Sequence, residues 1–402
     1  MSGGREKLGR VLVDKQPWLL KNGDRLYRPL RRLRPVLRIK RAVILTRHAD
    51  VRQVLERDDV FSVTYGQHME AVTGPFILGW DDGPRYRREV GALHAAVRRD
   101  DLPHVADLTR ERARAVLASG GADGVALADE AVGVGLDRYF GLPELAGRER
   151  RDDARRVFRA VFLDAETPET VERGQAASTR LVAAIDAAIA RERATPSDTV
   201  VGRLVAAGEL DDDGIHRNLV GLVAAWAASV PRAFALALDV LLDRAPELAN
   251  VAAQTDEHAI ARLWLDALRI QPQAPFLMRR ARGEVVIAPG SPREARIRPG
   301  DVIVAITHSA MHDRTVLDGP ERLTADRPID DYLHFGAGIH RCFGAGISQA
   351  QFGALGRALL ERGTVERGGP LAWSEAFPAT LPLRLSLIRP RWTDVRSRTR
   401  SG

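Results

Sequence analysis

Phe335-Gly336-Ala337-Gly338-Ile339-His340-Arg341-Cys342-Phe343-Gly344 holds the only cysteine of the 402-residue chain. One thiol cannot close an internal disulfide, so Cys342 does not staple the fold. The glycines around it let the backbone turn tightly and approach something flat and bulky. His340 and Arg341 stand beside the thiol and suit a neighbour of negative charge. A thiolate presented by such a loop suits an iron ligand.

Thiolate-ligated haem is one of the few cofactors held by a single cysteine. The segment resembles the haem-binding signature Phe-Gly-x-Gly-x-His-x-Cys-x-Gly of the cytochrome P-450 family of haem-thiolate monooxygenases. All six fixed positions are filled, by Phe335, Gly336, Gly338, His340, Cys342 and Gly344. A buried, inert thiol in a glycine turn is the common fate of a lone cysteine, and it leaves those six matches unexplained. The resemblance implies a mainly α fold with small β-sheets. It implies one large domain over 1–402, with haem between a central helix and the cysteine loop. It further implies haem b with Cys342 as axial thiolate, and Phe335, Gly336 and His340 as cofactor contacts.

Three more segments agree with it. In Asp266-Ala267-Leu268-Arg269 the acid and the arginine lie three apart, on one helical face. The family places Glu-x-x-Arg here as a structural ion pair. This chain has the shorter Asp266, so its pair with Arg269 must be repacked. Arg279 follows in Pro275-Phe276-Leu277-Met278-Arg279-Arg280, where family members have an arginine for a haem propionate. A planar guanidinium suits a carboxylate, and Arg280 is the adjacent alternative. Phe276 and Leu277 would then wall the pocket. Residues 308–327, with Pro320-Glu321-Arg322-Leu323, resemble a loose form of the family's meander before the haem loop.

Two departures stand out. Counting back from Leu241-Leu242, Ala225-Trp226-Ala227-Ala228-Ser229 occupies the place of Ala-Gly-x-(Asp/Glu)-Thr in ordinary members. Glycine becomes Trp226, the acid becomes Ala228 and the alcohol shrinks to Ser229. The acid and alcohol of that pair relay protons, a general-acid role, and alanine cannot. Trp226, Ala228 and Ser229 are therefore the candidate catalytic positions, with Trp226 read either as pocket wall or as core aromatic. Pro231 removes a helical hydrogen bond and is expected to bend the helix, and Arg232 faces either the pocket or the outside. The second departure lies in Gly79–Arg88, which resembles the helix that brings His-x-x-x-Arg to the propionates. Tyr86 stands where the histidine belongs and Val90 where the arginine belongs, so Arg85 or Arg88 is the candidate contact. Substrate contacts are expected from Tyr65, His68, Met69 and Phe76, and from the late turn at Phe377 and Thr380.

Composition bounds the rest. Apolar residues make up 45% of the chain, ample for a large core, and no linker, repeat or low-complexity tract divides it. The net charge is +7, and only four of the 60 basic residues are lysine. Aromatics are 5% and no nucleic-acid motif interleaves them with the basic residues. The charge is expected to be a solvated surface, or a patch for an acidic redox partner. Leu219 to Leu242 is long enough to cross a membrane, but Pro231, Arg232 and Asp239 interrupt it. A buried helix is the better reading. Met1 to Arg10 lacks the apolar stretch of a signal peptide, and a lone thiol fits a reducing compartment. A cytoplasmic monomer without membrane attachment is expected, its ends at 1–20 and 390–402 frayed. Strands are expected at 36–39 and 42–45, amphipathic helices at 101–118, 151–163 and 172–193, and strand-like runs at 285–287 and 302–306.

The family's habits give the leading reading: a bacterial-type soluble oxidase of a small, mostly apolar molecule in specialised metabolism. Electrons would come from NAD(P)H through a separate reductase and ferredoxin, since no flavin or iron–sulfur motif is present. The missing acid gives a second reading, an enzyme that uses or rearranges a ready-made peroxide. A third is a non-catalytic relative serving as a helper subunit, which the retained Cys342 disfavours.

Overall fold

A computed structural model describes residues 16–244 and 256–386. Of the ends expected to fray, 1–15 and 390–402 lie outside the described residues. Residues 16–20 open helix α1, Gln16–Leu33.

The early strands fall where the sequence places them. β1 (Val36–Ile39) and β2 (Ala42–Leu45) form an antiparallel pair, and α2 (His48–Glu56) follows. β3 (Phe61–Val63) completes this small region. Helices then dominate: α3 (Pro84–Ala96), α4 (Leu102–Ala118), α5 (Gly124–Val134), α6 (Arg148–Phe158) and α7 (Pro168–Ala194). The helix expected over 151–163 starts earlier and loosens into a π stretch over Arg159–Leu163.

The central helix α8 spans Asp212–Leu242. Asp211 caps it by accepting from Gly214 N–H at 2.8 Å. Asp212 and Asp213 in the first turn complement the positive end of the helix dipole. Its most apolar stretch is 83% buried inside the protein, so it is a core helix whose apolar faces meet protein. Helix continues through Pro231 to Leu242, although the proline lacks the N–H that would reach the Ala227 carbonyl. At Gly221 a Cβ would come within 2.5 Å of the Phe76 ring, so the glycine admits that aromatic against the helix.

After α9 (Glu257–Ile270) the chain returns to the sheet. β4 (Leu277–Ala281) pairs with β3 and with β7 (Val302–Ala305), and β7 runs parallel to β2. The order is β1-β2-β7-β4-β3. β5 (Val285–Ile287) and β6 (Ala295–Ile297) form a separate hairpin. Helix α10 (Ala345–Leu360) begins just after Cys342 and packs on α4 and α9. Two further antiparallel pairs close the described chain, β8 (Thr364–Arg367) with β11 (Leu383–Ser386) and β9 (Ala372–Ser374) with β10 (Phe377–Thr380).

Candidate active site

The cysteine loop is fixed at both ends and in the middle. Cys342 N–H donates to the Phe335 carbonyl at 2.7 Å. Gly336 and Gly338 take φ of +67° and +70°, the left-handed region that glycine tolerates. A Cβ on Gly338 would meet the Leu55 carbonyl at 2.5 Å and the Asp58 carboxylate at 2.8 Å. The loop is therefore seated directly on the end of α2. Two more anchors grip Ile339: its N–H donates to Asp58 Oδ2 at 3.0 Å, and its carbonyl accepts from Tyr86 Oη at 2.7 Å.

Cys342 is exposed, but to an interior cavity shared with the central helix. The cavity and its mouth hold about 970 Å³ not filled by atoms. Burial pushes the thiol pKa up, while the Gly344 N–H and the Arg341 charge pull it down. Across the cavity stand Leu222, Ala225, Trp226 and Ser229 of α8. That i, i+3, i+4, i+7 pattern is one helical stripe.

Arg279 and His340 also line the cavity. Along β4 the pleat turns Arg279 inward, where it is 2% exposed, and leaves Arg280 outside. Arg279 Nη1 reaches only the neighbouring Met278 carbonyl, and its Nε has no partner. Both ring nitrogens of the buried His340 likewise lack one. Burial, with Arg279 and Arg282 nearby, holds the His340 pKa down at about 4. A buried guanidinium with an unpartnered Nε, and a buried imidazole with no partner at all, await hydrogen-bonding groups. Carboxylates such as haem propionates would supply them, and a thiolate facing the same space suits iron. The residues present thus fit a haem.

The other expected contacts divide. Phe335, Gly336, Tyr65, Leu277, Trp226 and Ser229 all border the cavity. Arg85 is instead held over the Trp80 ring, 4.2 Å from its centroid, and paired with Glu89. Arg88 borders a separate surface groove with Arg98 and Arg203. The residue of that helix which meets the cysteine loop is Tyr86. Met69 and Phe76 are packed in the core, His68 is half-buried away from the cavity lining, and Phe276 and Thr380 are exposed. Phe377 packs its ring 6.2 Å from Phe158. Ala228 is buried off the cavity lining.

Trp226 does more than fill space. Its Nε1–H donates to Gln351 Oε1 at 2.8 Å, and Gln351 Nε2 in turn donates to the Ala131 carbonyl at 3.1 Å. Helices α5, α8 and α10 are thereby tied through one buried amide. Gly135 makes room, since a Cβ there would come within 2.4 Å of the indole. Gln351 was missed by sequence reasoning, although a glutamine between Ile347 and Leu355 on an apolar stripe is a legible sign of a buried polar partner. Gln351→Leu is expected to leave the Trp226 N–H unpaired and to cost about 1–3 kcal/mol. Trp226→Phe/Gln351→Leu should recover part of that cost. A double-mutant cycle by chemical denaturation measures it, and additive single losses would dissolve the pair.

Ser229 Oγ donates back to the Ala225 carbonyl one turn earlier. This habit is common for hydroxyls in helices, and it commits the hydroxyl proton to the backbone.

No protein-family profile matches the chain. Among curated proteins it is 28% identical over 396 residues to the mycinamicin IV hydroxylase/epoxidase of Micromonospora griseorubida, covering 90% of this chain and 94% of that one. It is 30% identical over 229 residues to cytochrome P-450 monooxygenase DoxA of a Streptomyces species, covering 56% of this chain and 48% of that one. A solved structure of a P450 EryK mutant in complex with erythromycin B superposes with a TM-score of 0.78 at 22% identity, over 94% of this chain and 98% of that one. These likenesses support a bacterial-type cytochrome P-450. The relatives include a named P-450 monooxygenase, an oxidoreductase, and such relatives imply a haem cofactor.

Proposed function

We propose that this P-450 oxidises a small, mostly apolar molecule in specialised-metabolite biosynthesis, using haem b held by Cys342. The carrying observation is the cavity itself: Cys342, Arg279 with its unpartnered Nε and the unpartnered His340 on one side, and a largely apolar α8 stripe on the other. When bound, thiolate-ligated haem supplies the oxidising chemistry, the thiolate pushing electron density to favour O–O cleavage. Arg279 and His340 would hold the propionates. Leu222, Ala225 and Trp226 would exclude water and orient the substrate. The relative named for mycinamicin IV hydroxylation and epoxidation supports the reaction class. NAD(P)H would be the electron source, through a separate reductase and ferredoxin to a monomeric, cytoplasmic enzyme.

One observation favours a second reading. Ala228 carries no acid, and the Ser229 proton is engaged by the Ala225 carbonyl. Proton delivery along α8 is thus poorly provided for, and a ready-made peroxide lessens that need. The test is turnover of one substrate with hydrogen peroxide against turnover with NAD(P)H, reductase and ferredoxin. Activity confined to the reductase system eliminates the peroxide reading. Activity in neither, across a broad substrate panel, eliminates the proposal.

A further inference from the structure

We infer that Arg232 is a substrate anchor and that the molecule this enzyme takes carries a carboxylate at one end of an apolar body. The inference rests on the functional reading above and narrows its substrate class.

Arg232 is 3% exposed, and its charge is poorly compensated. Nη1 donates to the Ala376 carbonyl, in the turn between β9 and β10, at 3.2 Å. Nε and Nη2 have no hydrogen-bond partner among the described residues. The guanidinium carbon lies 5.8 Å from the centroid of the Trp373 ring, a weak cation–π approach. Burial lowers the Arg232 pKa to about 10, which still leaves it charged at neutral pH.

Comparison with the other buried arginines makes the vacancy specific. Arg269 is fully buried and meets the Asp266 carboxylate and two carbonyls of the meander. Arg151 is buried and meets Asp129 and Glu130. The chain thus supplies acids to its buried guanidinium groups when they serve the fold. Among the described residues three arginines retain a buried, unpartnered nitrogen: Arg159, which is paired with Asp164 and Glu375, and Arg279 and Arg232, which meet no acid; Arg279 faces the cavity at Cys342. A buried charge without a paired acid is costly and is retained where a ligand completes it.

Arg232 is not itself among the residues lining the cavity, but its position on α8 continues the cavity stripe. It follows Ala225 by seven residues, about two helical turns, and therefore lies near the same angular position on α8. It is three residues beyond Ser229. An apolar chain lying along Leu222, Ala225 and Ser229 would direct its far end toward Arg232, beneath the β9–β10 turn. Nε and Nη2 are adjacent on one edge of the guanidinium, the edge that pairs with a carboxylate in two-point fashion. Arginine at this position is a handle for an oxyanion, and the apolar stripe leading to it selects a carboxylate on a hydrocarbon body over a hydrated inorganic ion.

The test uses haem-loaded protein with octanoate, dodecanoate and hexadecanoate, each beside its methyl ester. Binding is read by isothermal titration calorimetry and by the ligand-induced change in the haem spectrum. At least one acid is expected to bind wild type about ten times more tightly than its ester or better. Arg232→Met should weaken the acid about 10- to 100-fold, the worth of a charged hydrogen-bonded pair, and leave the ester within about twofold. Arg232→Lys should keep part of the preference. A wild type that binds no acid better than its ester overturns the inference. So does an Arg232→Met protein that loses acid and ester equally, since Arg232 would then serve only to hold the β9–β10 turn. If Arg232→Met does not fold, the wild-type comparison and Arg232→Lys decide. The carbon monoxide spectrum of the same wild-type sample separates the two levels. Its absence removes the haem-thiolate reading, whereas its presence without acid preference removes only the anchor.

Discussion

Cys342→Ser protein, supplied with haem during expression, is expected to lose the carbon monoxide spectrum of a thiolate-ligated haem, and its oxidation of substrate should fall to the haem-free background. The substitution replaces sulfur by oxygen and leaves nearly everything else in place. The loop is held by backbone groups: Cys342 N–H on the Phe335 carbonyl, and Ile339 between Asp58 and Tyr86. None of these needs the thiol, so the loop and helix α10 should fold as before. Burial on balance raises the Cys342 thiol pKa, and the Gly344 N–H and the Arg341 charge offset only part of that. A serine hydroxyl at the same place stays neutral, because its proton is far harder to remove. Retained haem with a changed spectrum would show that Arg279 and His340 hold the cofactor without the axial ligand. An unchanged thiolate-type spectrum would remove Cys342 from its assigned place, since the chain has no second cysteine.

The cysteine side of this site was readable in advance and the far side was not. A loop with glycines at fixed offsets constrains the backbone directly, so Phe335 to Gly344 carried its geometry in its spelling. Strand pleat turns Arg279 inward and Arg280 outward, an orientation the sequence left open because β4 is short and basic on both faces. The cavity walls were harder. Leu78, Phe140 and Ile347 reach it from three distant segments, and apolar residues at such distances carry no spacing signal. Met69 and Phe76 have the character of pocket residues but pack inward, Phe76 because Gly221 opens a slot for its ring. Arg85 was drawn away by Trp80 and Glu89, partners close enough in sequence to have been foreseen. Tyr86, noted as standing in a histidine's place, kept a hydrogen bond to the loop by using its hydroxyl. The central helix was legible in length and burial, while the direction of Arg232 depended on what the β9–β10 turn offered it.

Asp266→Ala is expected to be among the most destabilising single changes available, at about 3–5 kcal/mol, a large share of the ~5–15 kcal/mol typical of a folded domain. Asp266 is fully buried and is shared by four donors. Arg269 Nε reaches Oδ1 at 2.9 Å, Arg327 Nε at 3.0 Å and Tyr332 Oη at 3.1 Å, while Thr324 N–H reaches Oδ2 at 2.9 Å. Removing the acid strands two buried guanidinium groups and releases the meander from α9, because Arg269 also holds the Pro320 and Arg322 carbonyls. Loss of the meander would loosen the approach to the cysteine loop, so haem content should fall together with stability. The informative companion is Asp266→Glu, which restores the residue usual in the family. A simple reading expects it to be harmless. The packing says otherwise: Arg327, Tyr332 and Thr324 already meet the shorter arm of a fully buried Asp266, so an added methylene must displace them. It should cost about 1–3 kcal/mol by overpacking, less than alanine yet measurable. Urea denaturation followed by circular dichroism, with haem content measured on the same samples, checks both. An Asp266→Ala protein within about 1 kcal/mol of wild type would show that the network does not brace the fold. An Asp266→Glu protein as stable as wild type would show that the donors around Asp266 move freely enough to accept either acid.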